Sequence, residues 1–402
     1  MNYRTGNQGF LRQQNLRGIV HHLYENAPIS RVDLAKLTGL NKTTVSSLVE
    51  ELLENKFIRE LGADQSTNVG RRSILLDLNP TRGYIVSGEI GANFVDVICT
   101  DFKFKILWRH KEPLVKDNQD ESLKISFEVL QKAFDFAKEQ GNLLGIAVGV
   151  HGLLDKNTGT LLFAPNSGWR EVSLLEKLKQ SFETEIFVDN EANLAALGEQ
   201  YLGVAQGNSE VLYISIGRGL GGGIVINGQP YNGSTGIAGE FGHLTLFPDG
   251  LLCQCGNRGC WETEVSQAAL NRQIENSIKN GQTASLSQKL STKSQLSVKN
   301  IVEAAQTGDT AALTALDAVG CNLGIGIASL LNVFNPSLIV LGGELSIAAE
   351  YLLPAVHKEL KNRSLRWSRE NAQIVVARFG SDAAIMGGVA SVFQAKLANL
   401  RV

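Results

Sequence analysis

The chain has 402 residues, 43% of them hydrophobic and 19% charged, with a net charge of −2. That length supports two or three units with cores of their own, and those fractions exclude a disordered chain. The near-neutral balance excludes a globally basic nucleic-acid binder; residues 1–80 carry ten Lys/Arg against eight Asp/Glu, a mild excess that a solvated surface also explains.

The N-terminal MNYRTGNQGF has no apolar stretch of the kind a signal peptide needs. Leu16, Ile19, Val20 and Leu23 recur at i, i+3, i+4 and i+7 and predict a first helix that Pro28 ends. Ser30 with Asp33 makes an approximate capping box for a second helix, whose apolar side is Leu34, Ala35 and Leu37 and whose stop is Gly39. Asn41 is a good N-cap for a third, with Val45, Leu48, Val49, Leu52 and Leu53 as its stripe. Two helices joined by a tight glycine turn make a helix-turn-helix, in which the N-terminal residues of the second helix enter the major groove. Here those are Asn41, Lys42, Thr43, Thr44, Ser46 and Ser47. An ordinary helical bundle with a wet polar face fits the same periodicity. The next segment favours DNA: Ile58–Leu61 and Ile74–Leu78 read as a hairpin, and the loop between them ends in Gly70, Arg71 and Arg72. That is the wing of a winged helix, with arginines suited to the negative potential of a minor groove.

Beyond Pro80 the pattern changes. Gly83–Ile90, Phe94–Thr100 and Phe104–Trp108 predict three strands, Ser122–Glu139 a helix, and Leu144–Val150 a buried strand. Strands recur at Glu210–Ile216, Gly223–Ile226 and Ser337–Leu341, with helices between, which makes the remainder α/β with an internal duplication. The glycine-rich Gly217–Gly223 reads as a loop able to cradle phosphate through backbone N–H groups, though it fits neither the Walker nor the dinucleotide pattern. The longest apolar run, Leu323–Phe334, is interrupted by Asn332 and is too short to span a bilayer, so no membrane partner is expected. The last helical pattern, Ala383–Leu397, packs either on the first lobe or on a partner; the sequence does not choose.

The densest chemistry lies in Gly239–Glu262. His243, Cys253, Cys255 and Cys260 make a closed Cys₃His set for a structural Zn²⁺, flanked by Glu240 and Glu262. The other two cysteines, Cys99 and Cys321, sit in apolar contexts, and this usage fits a reducing cytoplasm better than a disulfide scaffold.

The Glu240–His243 ExGH and the Cys253–Glu262 CxCGxxGCxE, with GVHGLLD at Gly149–Asp155, PNSGW at Pro165–Trp169 and DNEANLAALGE at Asp189–Glu199, resemble the ROK family of repressors, open reading frames and kinases. The resemblance covers the whole chain. It implies an N-terminal winged helix-turn-helix over 1–80 and, over 81–402, a two-lobed actin-like, hexokinase-like ATPase fold with a sugar cleft between its lobes. It also implies that His243, Cys253, Cys255 and Cys260 hold zinc, and that Asn166, Asn190, Glu240, His243 and Glu262 hold sugar hydroxyls. Glu191 stands where family kinases have the aspartate base. Its extra methylene moves the carboxylate by about 1 Å, a misplacement that can cost roughly 100-fold in rate. Glu89-Ile90-Gly91-Ala92-Asn93 stands where they carry an Asp-x-Gly-Gly-Thr pattern, and Arg218 where they carry threonine. These departures imply a repressor of sugar catabolism, no catalytic residue, and a monosaccharide effector bound by Glu191 with the rest: xylose first, a hexose second. Operator double-stranded DNA is the partner, and paired half-sites call for a homodimer or a dimer of dimers. Two alternatives stay open: a sugar kinase with an appended DNA-binding domain, and a regulator whose effector is a protein.

Overall fold

The computed structural model describes residues 8–63, 73–116, 118–280 and 296–400. The chain divides into two units: Met1–Gly149 with Leu175–Val188 and Gly388–Val402, and Val150–Leu174 with Asp189–Gly387.

Unit 1 begins with helices α1 (Gln8–Asn26), α2 (Arg31–Thr38) and α3 (Lys42–Glu54) and strands β1 (Ile29–Ser30), β2 (Ile58–Ala63) and β3 (Ile74–Leu78). Leu16, Ile19 and Leu23 of α1 pack inward with Leu34 of α2 and Val45, Val49 and Leu52 of α3, all fully buried. The caps follow the sequence signals. Ser30 Oγ accepts from Asp33 N and its hydroxyl donates to Asp33 Oδ2, while Gly39 closes α2 in the left-handed region at φ 69°. Asn41 Oδ1 accepts from Thr44 N at 2.8 Å and starts α3. The strands form one sheet in the order β1-β3-β2, the sheet of a winged helix. Two-residue β1 is too short to show in any periodicity.

A five-stranded sheet follows in the same unit, in the order β11-β7-β4-β5-β6, from β4 (Tyr84–Ile90), β5 (Phe94–Thr100), β6 (Ile106–Pro113), β7 (Leu143–Val150) and β11 (Ile186–Asn190). Helix α4 (Gln119–Gln140) lies against β4, β5 and β6. The predicted strand Phe104–Trp108 is displaced toward the C-terminus. Asp101 Oδ1 accepts from Lys103 N and Lys105 N, and this turn holds Phe104 at φ 64°, in the left-handed region and outside the β region.

Unit 2 carries a small antiparallel sheet, β8 (Leu153–Asp155), β9 (Thr160–Ala164) and β10 (Trp169–Val172); the chain then returns to unit 1 with α5 (Leu174–Ser181). Its main sheet, in the order β14-β13-β12-β15-β16, is built from β12 (Val211–Ile216), β13 (Leu220–Ile226), β14 (Gln229–Pro230), β15 (Leu338–Gly342) and β16 (Gln373–Val376). Both five-stranded sheets place their first strand in the centre, the next two on one side and the last two on the other. The duplication expected from the sequence is therefore a repeat of topology.

The helices of unit 2 are α6 (Glu191–Leu202), α7 (Glu262–Val265), α8 (Gln267–Lys279), α9 (Val298–Gln306), α10 (Thr310–Phe334), α11 (Ala349–Arg363) and α12 (Arg366–Asn371). Helix α10 starts well before the apolar run and reaches 25 residues, long enough to cross a membrane by length and composition. Most of its apolar surface is instead buried, against α8 and α11 among others, which makes it the core helix of the unit.

The last helix is α13 (Ala383–Ala398). Its second half belongs to unit 1, where the Phe393 ring lies 6.0 Å from that of Phe57, 5.0 Å from Phe102 and 5.0 Å from Phe104. Tyr24 of α1 meets Phe104 edge-on at 5.3 Å. One aromatic cluster thus joins the winged helix, the first sheet and the end of the chain.

Candidate functional site

Two short bridges, Thr245 with Cys260 and Leu252 with Arg258, fold residues 245–260 back on themselves. A tight turn, with Gly256 N bonded to Cys253 O at 3.0 Å, brings Cys253 and Cys255 to one side. Trp261 anchors the end of the segment: its ring is fully buried and its indole N–H donates to Asn322 O at 2.9 Å. The result places one donor atom each from His243, Cys253, Cys255 and Cys260 within 4.8 Å of one another. Cys255 Sγ and Cys260 Sγ are 3.7 Å apart, and Cys253 Sγ is 3.8 Å from His243 Nδ1. Edges of about 3.6–3.8 Å are those of a tetrahedron around an ion with metal–sulfur bonds of ~2.3 Å and metal–nitrogen bonds of ~2.0 Å, so this donor set fits a metal ion. Burial raises the Cys253 and Cys260 thiols above their usual range, with hydrogen bonding to Glu262 and Cys255 respectively adding to it. A bound cation would act the other way, because only thiolates ligate.

The two ring nitrogens of His243 face different neighbours. Nδ1 points toward Cys253, while Nε2 lies 3.9 Å from Glu240 Oε2. Glu262 opens α7, with Oε1 at 2.9 Å from Cys253 Sγ and Oε2 at 3.4 Å from Leu220 N. A side chain at Gly219 would meet both Glu262 Oε2 and Asn166 Nδ2, which brings Asn166 and Glu262 together beside that glycine. Glu240 is pushed up to about 7, first by burial and then by the charges of Glu191 and Glu262. Three carboxylates therefore converge with Asn166 and His243 on one region of unit 2.

Asn190 has a second duty that the sequence does not reveal. Its Oδ1 accepts from Ala192 N at 2.8 Å and caps α6, and its Nδ2 donates to Gly152 O at 3.0 Å. These bonds tie the start of α6 to the turn after β7 and leave one N–H for a ligand. That turn carries His151, whose Nδ1 lies 4.0 Å from Glu191 Oε1, a neighbour that the sequence reading passes over.

The phosphate-cradle reading of Gly217–Gly223 needs correction. Only Gly217–Gly219 is a loop; Gly221, Gly222 and Gly223 lie within β13. They are glycines because neighbours press on the strand. A Cβ on Gly222 would enter the Phe241 ring, and one on Gly223 would meet Ala196 and the Ala192 carbonyl of α6. Arg218 is exposed at the bend, and Glu89 is buried at the end of β4 in unit 1.

On the winged helix, Asn41, Lys42, Thr43 and Ser47 are exposed, and Thr44 and Ser46 half-buried. Among the described residues Lys42 has no ion-pair partner, so its charge is available to a phosphate. Gly70, Arg71 and Arg72 lie outside the described residues.

The sequence pattern of the ROK family matches residues 85–395. The chain belongs to the ROK family. A winged helix-turn-helix DNA-binding pattern matches residues 12–59. Among the ROK relatives is the xylose repressor of Caldicellulosiruptor bescii (strain ATCC BAA-1888 / DSM 6725 / KCTC 15123 / Z-1320), 32% identical over 97% of this chain and 98% of its own. A ROK family transcriptional regulator, a homolog of the E. coli MLC protein, superposes with a TM-score of 0.77 at 28% identity over 97% of this chain and 98% of its own. A ROK family glucokinase from Streptomyces griseus, solved with glucose and AMPPNP, superposes with a TM-score of 0.69 at 32% identity over 78% of this chain and 100% of its own. The ROK fold thus serves regulators and kinases alike, and the winged helix is what this chain shares with the regulator over its full length.

Proposed function

We propose that this chain is a sugar-responsive transcriptional repressor, with a DNA-binding region over 1–80 and a sugar-binding region over 81–402. The observation that carries the reading is the presence, in one chain, of an N-capped helix with an exposed Lys42 and hydroxyl face and of a convergent set, Asn166, Glu191, Glu240, His243 and Glu262, to which we add Asn190, the neighbour of Glu191. Carboxylates and amides suit vicinal hydroxyls, and each unsatisfied one in a dry pocket is costly. Xylose is the assigned effector, in keeping with the xylose repressors among its relatives. Zinc is the assigned metal of the Cys₃His cage: His243, Cys253, Cys255 and Cys260 would hold it as a structural ion, and the segment they would close carries Glu240 and Glu262. The protein acts in the cytoplasm as a dimer on paired operator half-sites, with Gly70, Arg71 and Arg72 on the minor groove. Sugar favours the state that binds DNA less well, because only a difference in affinity between states shifts the balance. Helix α13, which begins in unit 2 and ends beside Phe57 of the winged helix, is a continuous element able to carry that difference.

A thermal-shift screen of monosaccharides, followed by operator release with any hit, tests the reading. Xylose at a hundred times its dissociation constant stabilises by roughly 2.7 kcal/mol and displaces operator. A screen with no hit removes the sugar-responsive part of the account. A kinase reading draws on the glucokinase likeness. Against it stand Glu191 at the base position, Arg218 in the bend and β13 glycines engaged in packing. Robust ADP release with xylose or a hexose, lost in Glu191→Ala, would establish it instead.

A further inference from the structure

His151 follows the fully apolar strand β7 at a point where the chain turns, and two constraints fix where it stands. Gly152 has φ 125°, and a Cβ there would enter the backbone at Phe163 and Ala164. The Gly152 carbonyl also accepts from Asn190 Nδ2 at 3.0 Å, which fastens the turn to the first residues of α6. His151 and Glu191 are thus presented side by side from two tied segments of unit 2, 33% and 14% exposed respectively, with His151 Nδ1 at 4.0 Å from Glu191 Oε1.

That separation is too long for a direct hydrogen bond and right for one shared atom. An oxygen about 2.8 Å from each group would subtend an angle of roughly 90° between them, close to what a hydroxyl needs to donate in one direction and accept from another. We propose that His151 is a sugar-binding residue that, with Glu191, clamps one hydroxyl of the effector: the hydroxyl donates to the Glu191 carboxylate and accepts from the His151 ring N–H. The proposal rests on the sugar-sensor reading above and deepens it. It gives Glu191 a purpose other than that of a base. A carboxylate facing an imidazole across a shared hydroxyl holds that hydroxyl in place, and no chemistry is asked of it. It also bears on selectivity, since a site built to hydrogen-bond a hydroxyl rejects the analogue that lacks it.

The test is calorimetry of xylose and its monodeoxy analogues with the full-length wild type, His151→Ala, His151→Asn, Glu191→Gln and the double variant His151→Ala/Glu191→Gln. His151→Ala raises the Kd for xylose about 10- to 100-fold. His151→Asn, which keeps a donor, recovers part of that loss. One deoxy analogue binds the wild type poorly but binds His151→Ala no worse than xylose does. The double variant is weaker than the poorer single variant by no more than about 3-fold, because both residues hold the same hydroxyl. Melting temperature without sugar and affinity for operator without sugar stay at wild-type values, which separates lost binding from lost structure. Xylose affinity unchanged in His151→Ala, or losses that add fully in the double variant, would overturn the clamp while leaving the sensor intact. A wild type that binds no monosaccharide overturns the sensor reading and the clamp with it.

Discussion

Helix α3 of the winged helix and the Gly239–Glu262 segment of unit 2 each present polar side chains, and they hold them by different means. Helix α3 rests on an apolar underside, Val45, Val49 and Leu52, with one polar cap at Asn41. Its outward residues touch little and are free to be read by a ligand. The Gly239–Glu262 segment has little regular structure, and its polar groups position one another: His243 between Cys253 and Glu240, Glu262 between Cys253 and Leu220. A face of the first kind tolerates changes to its outward residues. A site of the second kind fails as a unit.

Loss of a cage ligand is the harshest way to probe this difference. Cys260→Ser, or extraction of the metal with a chelator, lowers the melting temperature of unit 2 by about 10 °C or more, since a structural metal adds several kcal/mol and each 1 kcal/mol moves a unit of roughly 200 residues by ~2–4 °C. Scanning calorimetry with metal analysis checks it. An unchanged melting temperature with no bound metal would leave the segment held by packing alone. Phe393→Ala comes next. It empties the aromatic cluster beneath the winged helix and costs about 3–5 kcal/mol by denaturant unfolding, while the metal content stays constant. Glu240→Gln leaves stability nearly unchanged but raises the Kd for xylose about 10- to 100-fold by calorimetry. Lys42→Ala has the smallest effect, a few-fold loss of operator affinity with the salt slope reduced by about 1, uniform across operator sequences. A large sequence-dependent loss there would mean that Lys42 reads a base.

How much of each region was legible follows from the same difference. The three N-terminal helices and their caps at Ser30, Gly39 and Asn41 are written in period and in local cap chemistry, so they can be read without knowing the fold. Pleated strands such as Phe94–Thr100 and Ile74–Leu78 have the same virtue. The cage is legible by composition, because one histidine and three cysteines so close together have few other uses. What was not legible depends on contacts between distant segments. The Gly221–Gly223 run looks like a loop until Phe241 and α6 are seen pressing on it. Asn190 looks like a free amide until Gly152 is beside it. Phe104 looks like a strand residue until Asp101 turns the chain. His151 had one signal, a histidine placed directly after an unbroken apolar strand, and its meaning appears only with Glu191 opposite.

The central claim is that the polar site of unit 2 controls the DNA-reading face of unit 1. Fluorescence anisotropy of a palindromic operator, titrated with wild type and with Glu240→Gln in the absence and presence of saturating xylose, tests it most directly. The account predicts equal affinity of the two proteins without sugar, and a fall of at least about 10-fold on adding xylose to the wild type, an ordinary coupling free energy between two sites. The same xylose concentration should leave Glu240→Gln largely on the DNA. Operator affinity of the wild type that does not respond to bound xylose would contradict it.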